Sequence, residues 1–115
     1  MKVFHHRDVE EEAEEGAVKT RVRRLITKET GAENFAMRLF TMEAGGSSPL
    51  HSHPWEHEVF VLEGRGLVRG EEGERAFGEG DVIFIPPNEI HQLRNTGDVD
   101  VRFICLIPYK HVESK

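Results

Sequence analysis

The chain has 115 residues and a formal net charge of −6, with 37% hydrophobic and 31% charged residues. That balance suits one soluble folded domain and excludes the basic surface that nucleic acid requires. No apolar run approaches the roughly 18 residues of a membrane span and no signal-peptide pattern opens the chain, so a cytoplasmic protein without membrane contact is expected.

The first segment, 1–17, reads as an N-terminal arm. Val3 and Phe4 could form a small edge strand, and six acids then fall between Asp8 and Glu15. Four basic residues follow between Lys19 and Arg24, and the two blocks read as a solvated arm beside a strand with an exposed basic edge. His5 and His6 are expected at the surface. Val18 to Thr27 reads as an outer strand, and Thr30 to Asn34 as a turn.

Phe35 to Met42 predicts a strand with apolar residues on both faces, so both faces should be covered. Arg38 interrupts it, and a charge there is costly unless paired or wet. It either pairs with a carboxylate at an interface or reaches into a ligand cavity. Gly45 to Pro49 reads as a flexible connection into Leu50–His51–Ser52–His53, where Pro54 limits the backbone of His53.

Val59–Leu62, Leu67–Arg69, Arg75–Phe77, Val82–Ile85, His91–Asn95 and Val99–Ile107 read as further short strands. Glycine turns at 63–66, 70–73, 78–81 and 96–98 divide them. With no long helix in the pattern, eleven glycines and five prolines point to an all-β sandwich or barrel over 18–110, followed by a tail at 111–115. Cys105 is the single cysteine, which excludes an internal disulfide and agrees with a reducing compartment. Set in an apolar strand, it should be a high-pKa, inert thiol.

Four of the seven histidines carry the chemistry. His51 and His53 are two apart, a spacing that puts both side chains on one face of a strand. His57 follows shortly, and His91 stands alone after Pro86–Pro87–Asn88–Glu89–Ile90. Neutral imidazole is the commonest protein metal ligand. Glu58 competes with His57 for the third position. If His57 points inward so do Val59 and Val61, and if Glu58 does so do Phe60 and Leu62; both sets are apolar, so parity leaves the choice open.

These two regions resemble the paired motifs of the cupin superfamily. In the first, Gly45 is followed by five residues and His51–Ser52–His53, with His57 in the usual glutamate position and Gly64 after it. In the second, Gly80, Pro86, His91 and Asn95 match in order and spacing, with Asn88 replacing a glycine. The resemblance covers Gly45 to Asn95 and is similar to small single-domain microbial cupins in which four histidines replace three histidines and a glutamate. It implies a double-stranded β-helix, or jelly-roll, barrel and one divalent ion per subunit held by His51, His53, His57 and His91. Mn or Fe is favoured, with Zn, Ni and Cu possible.

Four neutral ligands would leave the ion its full charge, favouring anionic substrates. The resemblance further implies Arg38, Phe103 and Cys105 as cavity-lining positions, with Glu58 the nearest candidate base. Val101, Phe103, Cys105 and Ile107 are the more apolar face of the last strand and should look inward. The expected activity is metal-dependent oxygenase chemistry, such as a dioxygenase, or isomerisation of a small organic molecule. A ligand-binding or sensing barrel with a structural metal is the alternative. A homodimer is expected, with Val18 to Ile26 as the shared edge.

Overall fold

Glycine-marked turns cut the described residues into nine strands, which pair as one curled antiparallel sheet. In the computed structural model, which describes residues 1–108, these are β1 (Glu11–Ala13), β2 (Val18–Ile26), β3 (Phe35–Ser47), β4 (His57–Glu63) and β5 (Gly66–Gly70). They continue with β6 (Gly73–Phe77), β7 (Val82–Ile85), β8 (Gln92–Asn95) and β9 (Val101–Pro108). Two three-residue 3-10 turns, His6–Asp8 and Lys28–Thr30, are the helical pieces among the described residues. The predicted tail at 111–115 lies outside them, as does the end of the predicted barrel segment at 109–110. No helix among them is long and apolar enough to cross a membrane.

The strand order is β6-β5-β8-β3-β9-β4-β7, with β2 also on β3 and β1 on β2. The curled sheet has the expected all-β, barrel-like architecture. β3 links its two halves by pairing with β9 from Phe35 to Met42 and with β8 at Ser47. The sheet ends, β6 and β7, face each other across a charged cleft of about 670 Å³. Val22, Met42, Val61 and Val101 are fully buried in the core, and Leu39 and Phe40 are buried on opposite faces of β3.

Two sequence expectations change here. The Gly45–Pro49 segment is not a flexible connection at its start: β3 runs on through Gly45 and Gly46 to Ser47. The register with β2 jumps from Thr20↔Met42 to Val18↔Ser47, which makes a bulge. Gly45 takes a φ of +81° there, and a Cβ on Gly46 would come within 2.9 Å of the Val18 carbonyl oxygen. The glycines serve close packing.

The arm is also more integrated than a solvated segment. Glu11, Glu12 and Ala13 pair with Arg23, Val22 and Arg21. The acidic and basic blocks then meet as ion pairs, Arg21–Glu11 at 3.0 Å and Arg24–Glu14 at 3.4 Å, while Arg21 also reaches Glu43 of β3 at 2.5 Å. At this exposure each contributes about 1 kcal/mol at most, so their role is chiefly to place the arm. His5 is exposed and His6 partly so.

Candidate metal centre

The two histidine regions meet through their backbones before their side chains are considered. His51 and His91 exchange a pair of hydrogen bonds, His51 N–H to the His91 carbonyl at 3.1 Å and His91 N–H to the His51 carbonyl at 2.8 Å. Asn88 N–H donates to the His53 carbonyl at 2.6 Å. Asn88 does so with φ at +70°, a left-handed conformation that Asn accepts more readily than other non-glycine residues. Asn88→Ala is therefore expected to lower unfolding free energy by about 1 kcal/mol, and Asn88→Gly to change it by about 0.5 kcal/mol or less. Urea denaturation of both variants checks this. Equal losses in the two would contradict the backbone argument.

The parity question at His57 resolves by burial. His57, Val59 and Val61 are buried while Glu58, Phe60 and Leu62 are exposed. Glu58 lies on the outer face opposite Phe84 and Leu106. As a cavity-lining or base candidate it is corrected, because strand alternation turns it away from the interior.

His51 forms only an isolated bridge, and His53 lies outside any strand. Their rings nevertheless come together at 4.3 Å between centroids. The other ring spacings are 4.8 Å for His51–His91, 5.3 Å for His53–His57, 4.8 Å for His57–His91 and 6.1 Å for His53–His91. With metal–nitrogen bonds of about 2.1 Å, neighbouring imidazoles on one ion have centroids about 4.5–5.5 Å apart and opposite ones about 6.5 Å. The gathered rings suit that spacing. Among the described residues no group of three or more His, Cys, Asp or Glu side chains already has its donors arranged to hold an ion. The rings stand together, and their nitrogens would need to turn onto a shared point.

Two further observations fit a metal. His91 Nδ1 lies 2.9 Å from the Glu89 carbonyl; a carbonyl only accepts, so this nitrogen carries the proton and Nε2 of the neutral ring is bare. His57 Nδ1 is buried without a partner, a state that costs about 1–3 kcal/mol. Burial, then the neighbouring His91, Arg38, His53 and His51, push the His57 pKa down to about 3. Burial also lowers His91, partly offset by Glu89. Both rings are thus neutral at pH 7, the form that binds metal.

The rings line an interior cavity of about 290 Å³ shared by His51, His53, His57, Arg38, Trp55 and Ile107. A deeper lobe of about 80 Å³ adds His91, Phe40, Phe103 and Cys105. Arg38 lines both lobes, and Phe103 and Cys105 line the smaller one. Val101, Phe103, Cys105 and Ile107 are the buried face of β9. Burial raises the Cys105 pKa, against an opposing pull from Arg38, so the thiol is neutral.

Sequence reasoning did not find Trp55 or Glu14. Trp55 is buried and stacks on His53 at 4.4 Å with the rings 5° from parallel, holding that imidazole in place. Its position between His53 and His57 was the available signal. Glu14 lines the cavity from the arm. Only the pairing of β1 with β2 brings it there, and no local pattern announces that. The larger cleft between β6 and β7 touches the cluster through His91 alone.

The Cupin domain family matches residues 38–107. The structure of the polyketide cyclase RemF from Streptomyces resistomycificus is 36% identical, with a TM-score of 0.88 over 94% of this chain and 79% of that one. An oxalate-binding protein of Thermotoga maritima is 33% identical over 87 residues, 72% of this chain and 70% of its own length. An uncharacterized protein of Methanocaldococcus jannaschii is 34% identical over 74 residues, 62% of this chain, and the match spans 59% of that protein.

Proposed function

This chain belongs to the cupin domain family, and on that premise we propose that it is a divalent-metal enzyme acting on a small oxygenated organic molecule inside its barrel. Cupins commonly bind a metal. His51, His53, His57 and His91 would hold it here, with Mn or Fe favoured and Zn, Ni or Cu compatible with imidazole. The observation that carries the reading is the convergence of four imidazole rings on one interior cavity.

Bound there, the ion would supply Lewis-acid polarisation of a substrate oxygen or, with a redox metal, activation of dioxygen. The chain's own residues supply the rest. Trp55 fixes the His53 ring by stacking. The stacked pair Phe40 and Phe103, 5.0 Å apart, gives a flat apolar wall that limits water and orients an unsaturated substrate. Glu14, half-buried and paired with Arg24, and Glu15, exposed, are the carboxylates of the lining once Glu58 is set aside.

A relative named a polyketide cyclase supports polarisation chemistry, and one named an oxalate-binding protein supports a small oxygen-rich ligand. Metal-loaded protein given dicarbonyl and phenolic compounds is expected to yield rearranged products without oxygen uptake. Stoichiometric oxygen consumption would assign dioxygenase chemistry instead. Tight binding with no turnover of any of them would make the barrel a binding or sensing module.

A second copy of the chain is the proposed macromolecular partner. Phe60 and Leu62 of β4 and Val82 and Phe84 of β7 are all exposed, Val82 at 75% and Phe84 at 57%. They share the outer face of neighbouring strands, with Phe60 beside Val82 and Ile104. Such patches favour association, and a two-fold pair needs only one self-complementary patch. The shared edge expected at Val18 to Ile26 is less available, because β1 already pairs with Arg21, Val22 and Arg23. Sedimentation velocity at micromolar concentration is expected to show a dimer that Phe60→Asp with Phe84→Asp converts to monomer. A monomeric native chain would contradict this.

A further inference from the structure

Arg38 is the cation inside the barrel whose charge the described residues leave unanswered. β3 turns it inward, opposite Cys105 of β9, and it lines both lobes of the cavity beside His51, His53 and His57. Its guanidinium carbon lies 5.0 Å from the Phe40 ring centroid, so the fork is steadied by an aromatic face. One terminal nitrogen donates to Cys105 Sγ at 3.2 Å, while Nε is buried with no partner.

A guanidinium carries five donor hydrogens, and the one spent here goes to a weak acceptor. Cys105 does not cancel the charge, because its burial keeps the thiol protonated. Of the two lining carboxylates, Glu14 is engaged with Arg24 at 3.4 Å and Glu15 is exposed, and neither pairs with Arg38 among the described residues. A half-buried cation so placed carries a desolvation cost that an anion in the cavity would offset.

We infer that Arg38 is the anchor for a small, planar carboxylate, gripped by the fork of the guanidinium and laid against the Phe40–Phe103 wall. The planar five-donor fork matches two carboxylate oxygens in a way that an ammonium does not. A main lobe of about 290 Å³ sits at the small end of ligand pockets, which run from about 300 to 1,000 Å³. This assignment deepens the proposed function: it rests on that reading for the ligand's contact with an ion, while the grip of Arg38 stands without it.

Benzoate and its uncharged isostere benzamide separate the possibilities by calorimetric titration of the native protein, Arg38→Gln and Arg38→Lys. Each is prepared metal-stripped and again loaded with Mn²⁺. Benzoate is expected to bind the native chain in both preparations, about 10- to 100-fold more weakly to Arg38→Gln, and with intermediate loss to Arg38→Lys. Benzamide should show no dependence on residue 38.

The Arg38 Nε–H resonance of the native protein, which needs no variant to fold, should shift on adding benzoate. Equal benzoate affinity for the native protein and Arg38→Gln, or an unmoved Nε–H signal at saturation, would overturn the assignment. Benzoate affinities that depend on Arg38 but are the same with and without Mn²⁺ would leave the anchor standing and count against the metal contact.

Discussion

His57→Ala is expected to weaken divalent-metal binding at least about 100-fold, while Glu58→Ala changes it by about 2-fold or less. The contrast between neighbours follows from strand geometry. His57 is 7% exposed and looks into the barrel, with its ring 4.8 Å from that of His91 and 5.3 Å from that of His53. Glu58 looks out. Changing even the hydrogen-bonded partner behind a ligand costs about 10- to 100-fold in metal affinity, and removing a ligand itself should exceed that. Calorimetric titration with Mn²⁺ on stripped proteins checks both variants, with circular dichroism to show that His57→Ala retains the sheet. A larger loss at Glu58 than at His57 would reverse the assignment.

The largest effect on stability is expected at Asn95, which ends the second histidine motif without touching the cavity. Its side chain is buried and satisfied on every side. Nδ2 donates to the Met42 carbonyl at 2.9 Å and to the Val99 carbonyl at 2.8 Å, and Oδ1 accepts from Gly97 N–H at 2.9 Å. One amide thus ties β8 to β3 and to the turn before β9. Truncation leaves two carbonyls and an N–H without that partner, at about 1 kcal/mol or more each, so Asn95→Ala should lose about 3 kcal/mol. The expected signature is a lower urea midpoint with an unchanged slope. A loss under about 1 kcal/mol would show that water or a shift in the turn replaces the amide.

The all-β fold was readable because its punctuation is local. Glycines and prolines sit at the turns, and each short strand between them carries β-branched or aromatic residues. Where a glycine pair serves a bulge, the same signal misleads, as at Gly45–Gly46. The pairing of the acidic arm with β2 was unreadable because it depends on two charge blocks meeting across a reversal near Gly16. His51, His53 and His91 could be singled out by spacing and order, and Asn88 holds the left-handed place expected of a glycine substitute.

The choice between His57 and Glu58 stayed open for a physical reason. The outer face of β4 is apolar too, so Val59 and Val61 alternate with Phe60 and Leu62 and neither set looks like solvent. Phe60 and Leu62 belong both to the ambiguity in the sequence and to the exposed patch in the structure. Arg38 was legible as an anomaly, and its surroundings favour the cavity reading: no carboxylate pairs with it among the described residues, and it lines a cavity.

The central claim is that four histidines form a metal centre, and the metal content of the purified protein tests it most directly. Protein produced with Mn and Fe available should carry about one divalent ion per chain by elemental mass spectrometry, and His51→Ala with His53→Ala should carry almost none. A native chain that arrives without stoichiometric metal and takes none up on reloading, or a double variant that keeps its ion, would contradict the account.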